Sequence, residues 1–199
     1  MGRFWFFLFL KDSNMNLYMI KLGATPKGRL IEQHDVFFGI GENVAQLIPY
    51  FEQAWVEVKD IWHIDAYRKV CRVGEYAVRV VKREDFVDNG LHLYFINMGG
   101  YKAGEFEEFH HKMLVVASDL AGAVSLAKQS AFYQEFDAGG RAVSHIDNKY
   151  GVDVDDIHKV SDVLNDEFKA KYALQIQPCD DDMADEFVIG YLPKKHFMA

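Results

Sequence analysis

The hydrophobic pattern opens with Leu17–Leu22, LYMIKL, a short apolar run rich in residues that fit a pleated sheet, and the run stops at Gly23, which predicts a β-strand. Ala24–Arg29, ATPKGR, carries Pro and Gly turn chemistry. Leu30 to Ile40 reads as a second strand whose alternation places Glu32, His34, Val36, Phe38 and Ile40 on one face, so the two runs should pair as an antiparallel hairpin. Val44, Leu47, Ile48, Phe51, Ala54 and Trp55 then recur at helical spacing behind a cap at Glu42 or Asn43. Pro49 falls inside that pattern and requires a late helix start or a kink. Ile61–Val70 and Tyr76–Val81 read as strands around a turn at Val73 and Gly74.

The chain writes this order twice. An ungapped shift of 76 residues aligns LYMIKLGATPKGRLIEQH, 17–34, with LYFINMGGYKAGEFEEFH, 93–110, and seven of the 18 positions are identical. The second copy predicts strands at Leu91–Met98 and Phe109–Ala117 and a helix over Asp119–Phe136, capped by Ser118 and striped with Leu120, Ala123, Val124, Ala127 and Ala131. His145, Ile146 and Asp147 repeat His63, Ile64 and Asp65 at a shift of 82, the six extra residues falling in the glycine loop Asp137–Arg141. Asp155–Lys169 reads as mainly helical, with strands at Tyr172–Gln177 and Phe187–Leu192. The acidic stretch Cys179–Glu186 between those strands reads as a solvated connector. The expected fold is α+β: two tandem ββα(ββ)-type repeats, mainly antiparallel sheet with helices packed on one side. Residues 15–84 form the first repeat, 85–90 a joint, 91–193 the second repeat with the C-terminal strands, and 194–199 a tail.

Composition narrows the class. Half of the 199 residues are hydrophobic, enough to bury a sizeable core. The formal charge of −8 disfavours nucleic acid as a partner. Cys71 and Cys179 stand far apart, outside any metal-finger spacing, which suits a reducing cytoplasm. The apolar run FWFFLFL, 4–10, is too short for a spanning helix and lacks a cleavage site, so no membrane segment is expected. Residues 1–14 read as an extension preceding a start at Met15.

The paired strand motif LY-x-I-x-[LM]-G with its following E-x-H, the HID after the helix, MGGYKAGEF-x-E-x-H, YALQIQP and FVIGYLP resemble DUF1543 over nearly all of residues 15–193. This is a bacterial family of uncharacterised proteins with one or two copies of the domain. The resemblance brings no established activity and no catalytic residues with it.

The repeated polar set is the sharpest candidate for chemistry. Glu32 and His34 project together from one strand and His63 and Asp65 from another, since residues two apart share a face. Glu108, His110, His145 and Asp147 are the counterparts in the second copy. If the strands are neighbours, the side chains converge. They would then suit a divalent transition metal at His34, His63 and Asp65, or acid–base catalysis in which a carboxylate orients an imidazole. The competing reading, which takes precedence, gives these residues structural bonds at strand ends, and repetition does not decide between the two because a duplicated fold repeats such bonds as faithfully as a site. The glycines of Met98–Glu105 lack the spacing of a phosphate loop, and no G-x-S-x-G, H-E-x-x-H or P-loop pattern occurs. Phe37, Phe38, Tyr50, Phe51, Trp55, Trp62 and Tyr67 are expected in the core, and Trp62 and His63 to face opposite ways. The leading expectation is a non-enzymatic binding or interaction module that needs no cofactor, with a metal-assisted or acid–base enzyme acting on a small molecule as the alternative. The repeats, or the chains of a homo-oligomer, would cover each other's helix faces.

Overall fold

The computed structural model describes residues 14–101, 105–130, 152–180 and 184–197. It is an α+β fold in which every strand pairing is antiparallel. The first hairpin is β1 (Asn16–Ala24) and β2 (Gln33–Gly41). A 3-10 turn at Val44–Leu47, capped by the Asn43 side chain, leads into α1 (Ile48–Ala54). Pro49 thus sits in the first turn of α1, where its missing N–H costs least. β3 (His63–Val70), β4 (Arg72–Val73) and β5 (Tyr76–Lys82) follow, with Gly74 turning at a φ of 59°. β6 (His92–Tyr101) and β7 (Glu108–Ala117) make the second hairpin. The register of this second hairpin is that of the first displaced by 76 residues: Leu17 faces Ile40 as Leu93 faces Val116.

α2 (Leu120–Ala127) is capped by Asp119, whose Oδ1 accepts from the Gly122 N–H at 2.7 Å, in place of the expected Ser118. Its fully buried Ala123 and Ala127 let it lie close over Tyr94, Ile96, Met98 and Ala117. The remainder of that expected helix, and the Asp137–Arg141 loop, fall outside the described residues.

The expectation of a mainly helical Asp155–Lys169 is overturned. β8 (Val152–Lys159) pairs with β6, and only α3 (Val160–Val163) and α4 (Asp166–Lys171) are helical. A register shift in β8 opposite Asn97 and Met98 breaks its period of two, which hid the strand from a reading of alternation. β9 (Tyr172–Pro178) and β10 (Glu186–Pro193) do not stay with the second hairpin. β9 pairs with β5, and β10 with β3, giving sheets ordered β10-β3-β1-β2, β4-β5-β9 and β7-β6-β8.

One core runs between the hairpins. Leu17, Phe38 and Ile40 pack in the same cluster as Leu93, Phe95, Leu114 and Val116, and the Phe38 and Phe95 rings meet edge-on at 5.5 Å. Val160, Leu164, Phe168, Leu174 and Ile176 close the same cluster. Trp62 is buried on the α1 side, its ring edge-on to Phe51 and its Nε1 donating to Glu52 at 2.8 Å. Asp185, from the stretch expected to be a solvated connector, has a buried carboxylate that accepts from Arg68 and from the backbone N–H groups of Cys71 and Arg72.

Candidate functional site

The face of β2 that begins with Ile40, Phe38 and Val36 in the core runs out into His34 and then Glu32. On β1 the corresponding face ends in Lys21 and Gly23. The sheet order places β1 between β2 and β3, so the strands carrying the two polar pairs are not neighbours. Their separation is about two strand spacings, near 9.6 Å. Gly23 is the reason the side chains still meet. It stands directly opposite His34 on one side and His63 on the other, and residues directly opposite share a face. With no side chain between them, the imidazoles and carboxylates lean over its backbone. A Cβ at Gly23 would lie 2.5 Å from His63 Nε2 and 3.3 Å from Asp65 Oδ2.

Asp65 owes its position to a bulge. The β1–β3 register skips between Lys21 opposite Ala66 and Leu22 opposite Ile64, so Asp65 is the extra residue. The result is a closed set of contacts. His63 Nε2 lies 3.1 Å from Glu32 Oε1 and 3.1 Å from Asp65 Oδ1. His34 Nε2 lies 3.1 Å from Glu32 Oε2 and 3.2 Å from Asp65 Oδ2. Each carboxylate therefore offers one oxygen to each imidazole. His63 is buried, like Trp62 before it, and the Tyr191 ring covers it with centroids 4.2 Å apart; His34 and Glu32 are on the open side. Lys21 Nζ lies 3.5 Å from Asp65 Oδ2.

The second hairpin repeats the device with a different donor set. His110 stands opposite Gly99, as His34 stands opposite Gly23. His110 Nε2 lies 3.7 Å from Glu108 and 3.4 Å from Asp155, the bulge residue of β8. The backbone position that His63 holds opposite Gly23 is held opposite Gly99 by Asp153. His145 and Asp147 lie outside the described residues. Of the expected residues, the structure thus brings together Glu32, His34, His63 and Asp65, and separately Glu108 with His110. Asp155 was missed because the bulge that aims it has no mark in the sequence. Between the sheets lies a cavity of about 290 Å³, lined by Asp35, Phe38, Phe95, Asn97, Lys112 and His158 among others. Burial, with Lys21 nearby, holds the Lys112 ammonium below its ordinary pKa.

Three donor atoms from Glu32, His63 and Asp65 lie within 4.8 Å of one another, as do three from Glu108, His110 and Asp155. No helix among the described residues is long and apolar enough to cross a membrane.

No curated protein matches the chain. Its fold is similar to that in the crystal structure of a protein Il1583 from Idiomarina loihiensis, with a TM-score of 0.58 and 21% sequence identity over 90% of this chain and 97% of that one. Residues 29–80 match the family model Domain of Unknown Function (DUF1543). That span includes Glu32, His34, His63 and Asp65, and the chain resembles this family.

Proposed function

We propose that the chain is a binding module whose ligand is a divalent transition metal, held by Glu32, His63 and Asp65 and flanked by His34. The observation that carries this reading is the convergence on His63: two carboxylate oxygens each 3.1 Å from one imidazole nitrogen. A single Nε2–H donates fully to one acceptor, so two carboxylates so placed leave one without a proton. Asp65 Oδ2 is buried with no hydrogen-bond partner, although His34 and Lys21 stand close. Two atoms bonded at ~2.1 Å to one ion lie roughly 3.0 Å apart at a right angle and roughly 3.4 Å apart at the tetrahedral angle. The 3.1 Å separations fall in that range.

A divalent ion also answers the charge. Two carboxylates and one adjacent ammonium leave net negative charge on a partly desolvated face, which is costly without a cation. His34, on the second oxygen of each carboxylate, would orient both, the supporting role usual around metal ligands.

The test is equilibrium dialysis and Co²⁺ absorption on protein freed of metal with chelator. At least one equivalent with a ligand-field spectrum is expected, and one equivalent is lost in His63→Ala and in Asp65→Asn. Stoichiometry and spectrum unchanged in both variants would overturn the reading.

A further inference from the structure

We infer that the second hairpin carries a second, independent cation site formed by Glu108, His110 and Asp155, and that it takes a harder ion than the first, of the Mn²⁺ class. Two observations support it independently. The first is the donor geometry: one imidazole nitrogen and two carboxylates with mutually accessible donor atoms. The second is the backbone around it. β8 is bulged at Asp155 as β3 is bulged at Asp65, opposite strand positions 76 residues apart. Gly99 clears the space as Gly23 does, since a Cβ there would lie 2.8 Å from Asp155 Cγ. A bulge and a glycine are each unfavourable in a plain strand, and here both coincide at the one place where Asp155 reaches over β6 to His110.

The donor types are the same in both sites, one imidazole and two carboxylates, but spacing and exposure differ in a definite direction. The first site centres on a buried imidazole between two carboxylates at 3.1 Å. In the second, His110 is exposed and its separations are 3.4 and 3.7 Å. Wider separations suit longer bonds, and two carboxylates with one imidazole at this spacing fit Mn²⁺, an ion that carboxylate and water oxygens suit. Tyr101 bonds Glu108, which fixes one of the two carboxylates from behind. Three protein donors leave coordination positions for water or a ligand, so this site is the more open of the two.

The experiment is a Mn²⁺ titration of the full chain followed by electron paramagnetic resonance of free Mn²⁺, on the wild type, Asp155→Asn, Glu108→Gln and Asp65→Asn, each checked for native circular dichroism. In Asp65→Asn, with the first site disabled, one equivalent should still bind, and adding Asp155→Asn should weaken it at least tenfold. Glu108→Gln, which leaves β8 untouched, should do the same. Mn²⁺ binding at this stoichiometry that neither Asp155→Asn nor Glu108→Gln changes would overturn the inference, as would the absence of any Mn²⁺ binding in Asp65→Asn. The two readings fail separately. Co²⁺ binding that Asp65→Asn leaves unchanged would remove the first site alone, and Mn²⁺ binding that Asp155→Asn leaves unchanged would remove the second alone.

Discussion

Gly23→Ala tests the first site through its backbone instead of its ligands. A Cβ added there lies 2.5 Å from His63 Nε2 and 2.9 Å from Cε1, whereas ordinary contact begins near 3.4 Å. The imidazole must retreat by 3.4 − 2.5 = 0.9 Å. Metal–ligand distances tolerate only about ±0.2 Å, so a retreat of that size removes His63 from the coordination sphere. His63 has no free direction in which to compensate, because it is buried and covered by Tyr191. Perturbing the support of a metal ligand costs about 10–100-fold in affinity, and displacement of the ligand itself should reach at least that, ~1.4–2.7 kcal/mol. Gly23 does not occupy the left-handed region, so alanine carries no backbone penalty and in a strand contributes roughly 0.5–1 kcal/mol of stability. The assay is thermal melting with and without Zn²⁺, backed by calorimetric titration. Crowding the buried imidazole should cost metal-free Gly23→Ala about 1–3 kcal/mol, so it should melt somewhat below the wild type, while the Zn²⁺-dependent rise in Tm should disappear. A variant that binds Zn²⁺ as tightly as the wild type would refute the claim that His63 Nε2 is a ligand over Gly23.

Phe38→Ala should destabilise the chain by about 3–5 kcal/mol, because the ring fills the joint between the hairpins. A urea-unfolding double-mutant cycle with Phe95→Ala should return coupling of roughly 0.5–1.5 kcal/mol, and strict additivity would contradict a shared core. Asp185→Ala leaves Arg68 and two backbone N–H groups without their acceptor, and about 3–5 kcal/mol of stability should be lost in the same assay. Burial, with Lys21 nearby, lowers the Lys112 pKa, so in alkaline solution below the ordinary lysine value the unfolded chain binds more protons than the native one, and this group's contribution to stability rises with pH. Comparing urea midpoints at pH 8 and 10 for the wild type and Lys112→Met isolates the effect, which an equal change in both proteins would exclude.

Most strand positions were legible because alternation is a local property. The hairpins β1–β2 and β6–β7 follow from apolar, strand-forming runs interrupted by glycine-containing turns, and the 76-residue shift that aligns the sequences also aligns their registers. Glu32, His34, His63 and Asp65 stood out for the same reason: residues two apart must share a face. Local pattern failed at β8, where the bulge at Asp155 breaks the period and the helical spacing of Val160, Val163, Leu164 and Phe168 carried the helix reading back over the strand.

What the sequence determined by itself, then, was the α+β class, the hairpins and the polar ends of their inner faces. Tertiary structure alone decided that β10 pairs with β3, that β9 pairs with β5, and that Glu32, His34, His63 and Asp65 form one cluster. Strand order and bulges depend on contacts between residues far apart in the chain. They also turned Gly23 from a presumed strand end into the gap across which two non-adjacent strands bring their imidazoles and carboxylates together.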